Sequence, residues 1–264
     1  MSKGAGKDVD WEEAGEPARR IWLVVEGHLG QKLRHIIGRL ISWDPFYGDM
    51  KHYRFAQGRA RASRIALVNH MIGVNGYRSY LEIGVRRKSA MHEEIHCESR
   101  ISVDPDPAAE ADYPMPSDEY FATLDHRFDI VFIDGNHTGD QVERDLVNAL
   151  SRLNPGGVIL LHDMNPPTRF HGRAVYEVSG ELPSWNGTSW KGYAALRKKR
   201  PDLTMHVVDT DWGVGIVHPG SQQTYSGRCA TYDDLARDRR AVLNLISVSD
   251  FLRLYAKPLT KDGP

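Results

Sequence analysis

The stretch that most limits what this chain can become is residues 128–166, FDIVFIDGNHTGDQVERDLVNALSRLNPGGVILLHDMNP. Ile130, Val131, Phe132 and Ile133 form an unbroken apolar run, the pattern of a strand buried on both faces of a parallel sheet, and the run stops at Asp134-Gly135-Asn136-His137. Thr138 and Gln141 have capping-box spacing, and Val142, Leu146, Ala149, Leu150 and Leu153 mark one face of the helix that follows. Asn154-Pro155-Gly156-Gly157 closes that helix, and residues 158–161 predict a second buried strand that ends at His162-Asp163. These pieces make one βαβ unit. Its two strands run parallel, so their carboxyl ends open on the same edge, where open α/β sheets bind ligands. Asp134 and Asp163 are therefore expected near one another, with His137, His162 and Asn165 close by.

The segments before this unit supply its neighbours. Residues 1–18 are polar and carry no packing pattern. From Arg20 the pattern turns helical, and Leu33, Ile36, Ile37, Leu40 and Ile41 form an apolar stripe opposite Lys32, Arg34 and Arg39. A stripe this short suits packing on its own domain or on a second subunit better than a membrane surface, and a homo-oligomer is expected. The aromatic residues of 43–55 suit a lid or a dimer contact, and equally local packing. Ile65, Val68 and Ile72 predict a helix over 60–73, and Asn75-Gly76 turns the chain into a first strand at 79–85. Glu82 is a charge inside that apolar strand, costly unless something at the strand end uses it. Gly84 lets the backbone pass close to a ligand. The segment from there to about Ile95 predicts the first crossover helix, with Ser89 as a cap or ligand contact in its first turn. A second strand, 100–103, ends in Asp104-Pro105-Asp106-Pro107. An acid about 20 residues past the glycine turn is where nucleotide folds hold ribose hydroxyls, so Asp104 is the first choice and Asp106 the second; a plain Asp-Pro turn is the alternative. Ser117-Asp118-Glu119 reads as a cap opening a short helix beside a cofactor base.

Beyond the central unit, residues 167–183 lack strong periodicity and leave the strand that carries His162-Asp163, as lids and binding loops do. Trp185 and Trp190 could wall a substrate pocket, or one of them could pack in the core. A helix over 189–199 leads to strands 204–208 and 214–218, joined by Asp209-Thr210-Asp211-Trp212-Gly213, a loop short enough for an antiparallel hairpin. If the first of these strands lies parallel to the others, Asp211 and Trp212 fall on the active edge as substrate contacts; otherwise they make a polar turn. Residues 232–255 read as helical, with Leu235, Val242, Leu245, Ile246 and Leu252 apolar. The whole predicts an α/β, doubly wound, Rossmann-like sheet, mostly parallel with one antiparallel strand, and helical additions at both ends. Its expected divisions are 1–58 (tail and lid or oligomer segment), 59–220 (catalytic domain) and 221–264 (helical extension).

Composition excludes several partners. A net charge of -1 and a pI near 6.9 give no pull toward nucleic acid or anionic membrane. No apolar run approaches the ~20 residues a membrane span needs and no signal-peptide pattern opens the chain, so a cytoplasmic protein without a membrane partner is expected. Cys97 and Cys229 match no metal spacing and no disulfide framework. Asn186-Gly187-Thr188 matches a glycosylation triplet only by chance in such a protein.

YLEIGV at 80–85, VDPDP at 103–107, FDIVFIDGNH at 128–137, LNPGGVILLHD at 153–163 and the late hairpin together resemble the class I S-adenosylmethionine-dependent methyltransferases. The nearest group is similar to the small-molecule O-methyltransferases of natural-product and sugar pathways. The resemblance covers roughly residues 60–218. It implies S-adenosylmethionine as cofactor, with Glu82 and Gly84 along its methionine part, Asp104 at the ribose and Ser117 or Asp118 at the adenine. In metal-dependent relatives an acid after the fourth strand and a polar pair after the fifth hold a divalent ion such as Mg or Mn. Those positions are Asp134, His162 and Asp163 here, and the general base falls on His137. Asn165, Trp185 and Asp211 are the expected contacts of a small-molecule acceptor. The sequence departs from the pattern at Val85-Arg86-Arg87-Lys88, which lacks the further glycines of the commonest loop, and at His162, where relatives carry a carboxylate or carboxamide. Imidazole suits Zn, Fe or Ni better than Mg, which prefers oxygen. The competing expectations are a metal-independent O- or N-methyltransferase with His137 as base, and a nicotinamide-dependent oxidoreductase, which would need a G-x-G-x-x-G turn that residues 84–89 lack.

Overall fold

Apolar residues alternate between two cores, and that alternation explains the unbroken hydrophobic runs of the strands. In this computed structural model, which describes residues 62–167, 169, 171–175 and 185–260, Val131, Ile133, Ile159 and Leu161 face one core while Ile130, Phe132, Val158 and Leu160 face the other. The expected N-terminal segment, with its amphipathic stripe and oligomer contact, lies outside the described residues, as does much of the 167–183 loop.

The first described helix, α1 (Arg64–Asn75), starts at Ser63, whose hydroxyl accepts the Ala66 amide at 3.3 Å, and ends at Gly76 in the left-handed conformation. It buries Leu67, Val68, Met71 and Ile72. Strands β1 (Ser79–Ile83) and β2 (Ser99–Val103) follow, then α2 (Ser117–Thr123), β3 (Phe128–Ile133), α3 (Gly139–Ser151) and β4 (Leu153–Leu161). After the loop come α4 (Ser189–Lys199), β5 (Leu203–Val208), β6 (Val214–Pro219), α5 (Tyr232–Leu243), β7 (Leu245–Ile246) and α6 (Val248–Leu254). The sheet order is β2-β1-β3-β4-β6-β5-β7, with β6 antiparallel to both of its neighbours and the remaining pairs parallel. Helices α3, α4 and α5 cover one face, and α1 and α6 the other. This is the doubly wound, mostly parallel sheet with one antiparallel strand that the sequence predicts. The chain leaves β1 in one direction and returns to its other side at β3, so the topological switch point lies between them.

Four local expectations need correction. The first crossover is not an α-helix but two single 3-10 turns, Lys88–Ala90 and His92–Glu94. Arg87 offers no capping side chain, Arg86 has a positive φ of 56°, and the Val85 and Arg86 amides turn instead to the Asp104 carboxylate. Thr138 stands at the start of α3 but its side chain makes no cap bond; the Gly139 amide donates to the Thr188 hydroxyl at 2.9 Å. Pro116, not Ser117, precedes α2, because the Ser117 hydroxyl donates to Asp145 at 2.6 Å. Residues 154–157 belong to β4, whose register against β3 shifts between Phe128 and Ile130. The 232–255 region is helical as expected, with a two-residue strand, β7, that pairs with β5 between its two helices. Among the described residues no helix is long and apolar enough to cross a membrane.

Two histidines of the β5–β6 hairpin give the fold an acid limit. Burial, with His218 and Arg197 nearby, lowers His206 from 6.5 to about 4, and burial also lowers His218. Nδ1 of His206 lies 2.9 Å from the Tyr255 hydroxyl of the segment after α6. Below pH ~6.5 the unfolded chain takes up protons that the folded chain refuses, so stability falls as pH drops toward about 4. His206 is partly exposed, and its share is of order 2 kcal/mol. Denaturant midpoints measured between about pH 7 and 4.5 should therefore drop, and His206→Gln should flatten that dependence; an unchanged slope would contradict this account.

Candidate active site

The strand ends stop in step. Ile83 pairs with Val103 and with Ile133, and Ile133 pairs with Leu161, so the residues that follow, Asp104, Gly84, Asp134 and His162, stand side by side. The ladder continues one bond further, with the Gly84 amide donating to Val103 O at 2.9 Å, Asp134 to Ile83 O at 2.8 Å and His162 to Ile133 O at 3.0 Å. At this edge opens a cavity of about 860 Å³. Glu82, Gly84, Asp104, Ser117, Asp118, Asp134, His137, His162, Asp163 and Trp185 all line it.

At one end of the cavity two carboxylates and two imidazoles interlock. Oδ1 of Asp134 lies 3.2 Å from Nε2 of His137 and 3.2 Å from Nδ1 of His162. Asp163, held at a left-handed φ of 63°, places Oδ2 3.3 Å from Nδ1 of His137 and 3.6 Å from Nδ1 of His162. Burial alone would raise the Asp134 carboxyl, but His162 and His137 outweigh it and hold the group well below the usual carboxylate range. Burial opposes charge on His137, yet Asp163 and Asp134 push it up to about 9. His162 is raised against burial by the same two acids. Asp163 goes the other way, raised by burial in spite of the histidines.

The segment 185–188 clamps this end. Trp185 stacks on His137 with ring centres 5.2 Å apart, and its carbonyl lies 3.1 Å from His137 Nδ1. Asn186 donates to Asp163 Oδ1 at 2.7 Å, and the Thr188 amide donates to His137 O at 2.8 Å. Gly187 has φ 61°, and a Cβ there would stand 2.2 Å from His137 O, so only glycine lets the segment lie this close. Asn186 is buried, and its Oδ1 has no protein partner among the described residues. On the far side Arg64, the first residue of α1, donates from its amide to Asp211 Oδ2 at 2.7 Å and places Nη1 3.2 Å from His162 Nε2.

The other end is built from the first two strands. Asp104 accepts Val85 and Arg86 amides on Oδ2, at 2.8 and 3.1 Å, and the Asp106 amide on Oδ1 at 2.8 Å. Glu82 is buried and takes Tyr80 OH at 2.9 Å and His92 Nδ1 at 3.0 Å on one oxygen, which is how the strand tolerates its charge. Ser117 and Gln141 both donate to Asp145, a buried acid of α3 that also lines the cavity and that burial raises.

Three expected contacts stand elsewhere. Ser89 is exposed and does not line the cavity; it sits in the 3-10 turn Lys88–Ala90 that stands in place of the expected helix. Asn165 is buried behind the edge, donating to Asp209 at 3.0 Å and accepting from Arg239. Asp211 does not line the cavity but touches His162, with Oδ1 3.4 Å from Nε2. Trp190 is a core residue, whereas Trp212 lines the cavity. Sequence reasoning missed Arg64, Asp145 and Asn186. Asp145 had a readable signal, a charge on the apolar side of α3; Arg64 and Asn186 had none beyond lying close to a cap and a glycine.

A divalent ion fits the donor set. One ligand atom each from Asp134, His162 and Asp163 lies within 4.8 Å of the others. An ion held by oxygen and imidazole nitrogen makes bonds of ~2.0–2.3 Å, so these atoms would have to close in only slightly to hold one. Two anionic oxygens would meet its charge, and Asn186, whose Oδ1 has no protein partner among the described residues, lines the same cavity.

A doubly wound sheet with a polar cavity at its switch point defines an α/β domain built to hold a ligand at its carboxyl edge. Residues 24–164, more than half of the 264, match the family model described as a methyltransferase domain, and the chain belongs to that family. No curated protein matches it. Among solved structures it is similar to the Podospora anserina methyltransferase PaMTH1 bound to SAH, at 18% identity and TM-score 0.45 over 82% of this chain and 99% of that one. It is also similar to the Streptomyces achromogenes O-methyltransferase TomG in complex with SAM, at 16% identity and TM-score 0.39 over 58% of this chain and 78% of that one. A third is the MycE methyltransferase of the mycinamycin pathway, in complex with Mg, SAH and mycinamycin VI, at 18% identity and TM-score 0.39. That match covers 61% of this chain and spans half of the MycE chain, 50%.

The tightest packing at the edge yields a test. Gly84 has φ 82°, and a Cβ on it would stand 2.3 Å from Asp134 O. Gly84→Ala should lower the thermal midpoint, the left-handed backbone alone costing about 1–3 kcal/mol, and should displace Asp134. An alanine variant that melts with the wild type would show that the two strand ends are not in this contact.

Proposed function

We propose that the chain transfers a methyl group from S-adenosylmethionine to a hydroxyl of a small molecule, a sugar or natural product, with help from a divalent ion. The observation that carries this reading is His137 held between Asp134 and Asp163, beside His162, at the end of one cavity shared with Asp104. S-adenosylmethionine would supply an electrophilic methyl, and a divalent ion held by Asp134, His162 and Asp163 would lower the pKa of the acceptor hydroxyl.

The residues divide the remaining work. Asp104 braces the 84–86 turn and stands where ribose hydroxyls reach the edge, Glu82 and Gly84 border the methionine part, and Ser117 and Asp118 stand at the adenine end. Trp185 fixes the plane of the His137 ring by stacking on it, so that the acceptor oxygen can be held in line, about 3 Å from the methyl carbon. With the bare carboxylates as partners, His137 sits at about 9 and keeps its proton at neutral pH. A cation held by Asp134 and Asp163 would draw on their charge, so that they would hold the His137 proton less firmly and leave the ring able to accept the hydroxyl proton. The grouping of Asp134, His162 and Asp163 around one point supports the metal-assisted mechanism over a metal-free one that uses the same histidine. In this reading residues 59–220 carry the chemistry, flanked by 1–58 and by 221–264.

Exhaustive EDTA treatment should abolish methyl transfer from labelled S-adenosylmethionine, and added Mn or Mg should restore it; activity that survives metal removal would overturn the assisted mechanism. His137→Ala should lower turnover by about 10²–10⁴-fold while cofactor affinity, read by calorimetry, stays within a few fold. Near-normal turnover in that variant would remove His137 as the base.

A further inference from the structure

His162 can reach an ion only through Nδ1, because that nitrogen faces Asp134 and Asp163 while Nε2 faces away, toward Asp211 and Arg64. A ligating Nδ1 gives its lone pair to the ion, so the ring proton must reside on Nε2. Two neighbours compete for Nε2. Asp211 Oδ1, at 3.4 Å, can only accept, which places the proton on Nε2. Arg64 Nη1, at 3.2 Å, can only donate, which would leave Nε2 bare and put the proton on Nδ1.

The surroundings settle that competition. Arg64 Nη1 also lies 3.3 Å from Asp211 Oδ1, and the Arg64 amide donates to Oδ2 of the same carboxylate at 2.7 Å. The guanidinium thus has an anionic acceptor to satisfy, and a charge-assisted bond to a carboxylate outweighs one to a neutral ring nitrogen. Arg64 and the Nε2 proton of His162 converge on one oxygen of Asp211. Asp211 itself stays put, since its side chain is 7% exposed and its φ of 43° sits in the turn between β5 and β6. Thr210, next to it, ties that turn to Ala62 O before α1 at 2.7 Å.

We propose that Asp211, anchored by Arg64, is a positioning residue that fixes the Nε2 proton of His162 and presents Nδ1 as a nitrogen ligand to the divalent ion. The inference rests on the metal-assisted reading given above and adds the tautomer, the orienting acid and the character of the site. A carboxylate–imidazole pair of this kind raises the basicity of the nitrogen donor and holds its ring in place. The imidazole in a set with two carboxylate oxygens favours a borderline ion such as Fe, Ni or Zn over Mg, and Mn serves as a spectroscopic probe of the same site. The turn that carries Asp211 comes from the late hairpin, 48 residues beyond Asp163 in the chain (211 − 163 = 48), so the carboxyl edge of β5 takes part in building the site.

The test reads metal binding in the full chain, apart from turnover. Mn titrated into the wild type by calorimetry should bind, and pulsed electron spin resonance of that complex should show a directly coordinated ¹⁴N that His162→Ala removes. Asp211→Asn keeps a residue that tolerates the same positive φ while removing the charge. It should weaken Mn binding by about 10–100-fold and diminish the ¹⁴N coupling, with an unchanged circular dichroism spectrum. A second measurement needs no variant: two-bond ¹⁵N–¹H correlation of the Zn-loaded wild type should place the His162 proton on Nε2. Asp211→Asn that binds Mn as tightly with the same ¹⁴N coupling, or a Zn-loaded His162 protonated on Nδ1, would overturn the proposal. Wild type that binds Mn without ¹⁴N coupling would overturn it and leave an all-oxygen metal site standing. Wild type that binds no divalent ion would overturn both this proposal and the metal-assisted reading.

Discussion

The site depends on a ladder of backbone hydrogen bonds that runs one residue beyond the strands. Gly84, Asp134 and His162 each donate their amide to the last carbonyl of the neighbouring strand. This fixes the heights of the three residues to within the spacing of a peptide unit. A one-residue slip in a parallel pair would turn each side chain to the other face of the sheet and send Asp134 or His162 into a core. The two cores prevent it, since Ile133 and Leu161 fit one and Phe132 and Leu160 the other. Hydrophobic burial therefore sets the register, and register sets the spacing of the polar groups.

That spacing holds opposed charges at close quarters. Two acids and two imidazoles share one end of a cavity, and each changes the proton affinity of the others. Such a cluster is costly to bury as separate ions and is retained because its members are partnered. The same closeness that stabilises the cluster without an ion puts proton-binding and metal-binding in competition for Asp134 and Asp163. A cation entering there would replace interactions now made by protonated imidazoles, so metal affinity and histidine protonation are linked through the same two carboxylates.

Much of this was legible in the chain because it follows from short periodicities. The apolar runs at 130–133 and 158–161, the acids that end them and the acid at 104 sit at positions that a parallel sheet brings to one edge, and the cavity opens there. What could not be read depends on tertiary approach. The first crossover is two 3-10 turns instead of a helix, and what precedes it is a turn with Arg86 at a positive φ, its amide held by Asp104 18 residues away. Ser89 would cap or touch a ligand only from the first turn of such a helix, and in the 3-10 turn it is exposed. Asn186 looked like part of a chance triplet, and its value arises only where Gly187 allows the backbone to lie on His137. Arg64 reads as the first residue of an ordinary helix, and 147 residues separate it from the carboxylate that it meets.

The long-range contacts share a consequence for how the site is built. The strand ends supply Asp134, His162 and Asp163, but the residues that orient them come from three separate segments: α1 through Arg64, the 185–188 segment through Trp185 and Asn186, and the β5–β6 turn through Asp211. Each of those segments is also held by hydrogen bonds to backbone carbonyls, from the Thr188 amide to His137, from the Thr210 hydroxyl to Ala62, and from the Met164 amide to Gly213. Side chains fixed from several sides lose little freedom when a ligand arrives, so the binding free energy is spent less on ordering the site. The same arrangement makes the cluster sensitive to packing far from it. A change at Asp211, which does not itself line the cavity, alters the orientation of His162 without altering the cavity wall that a ligand meets.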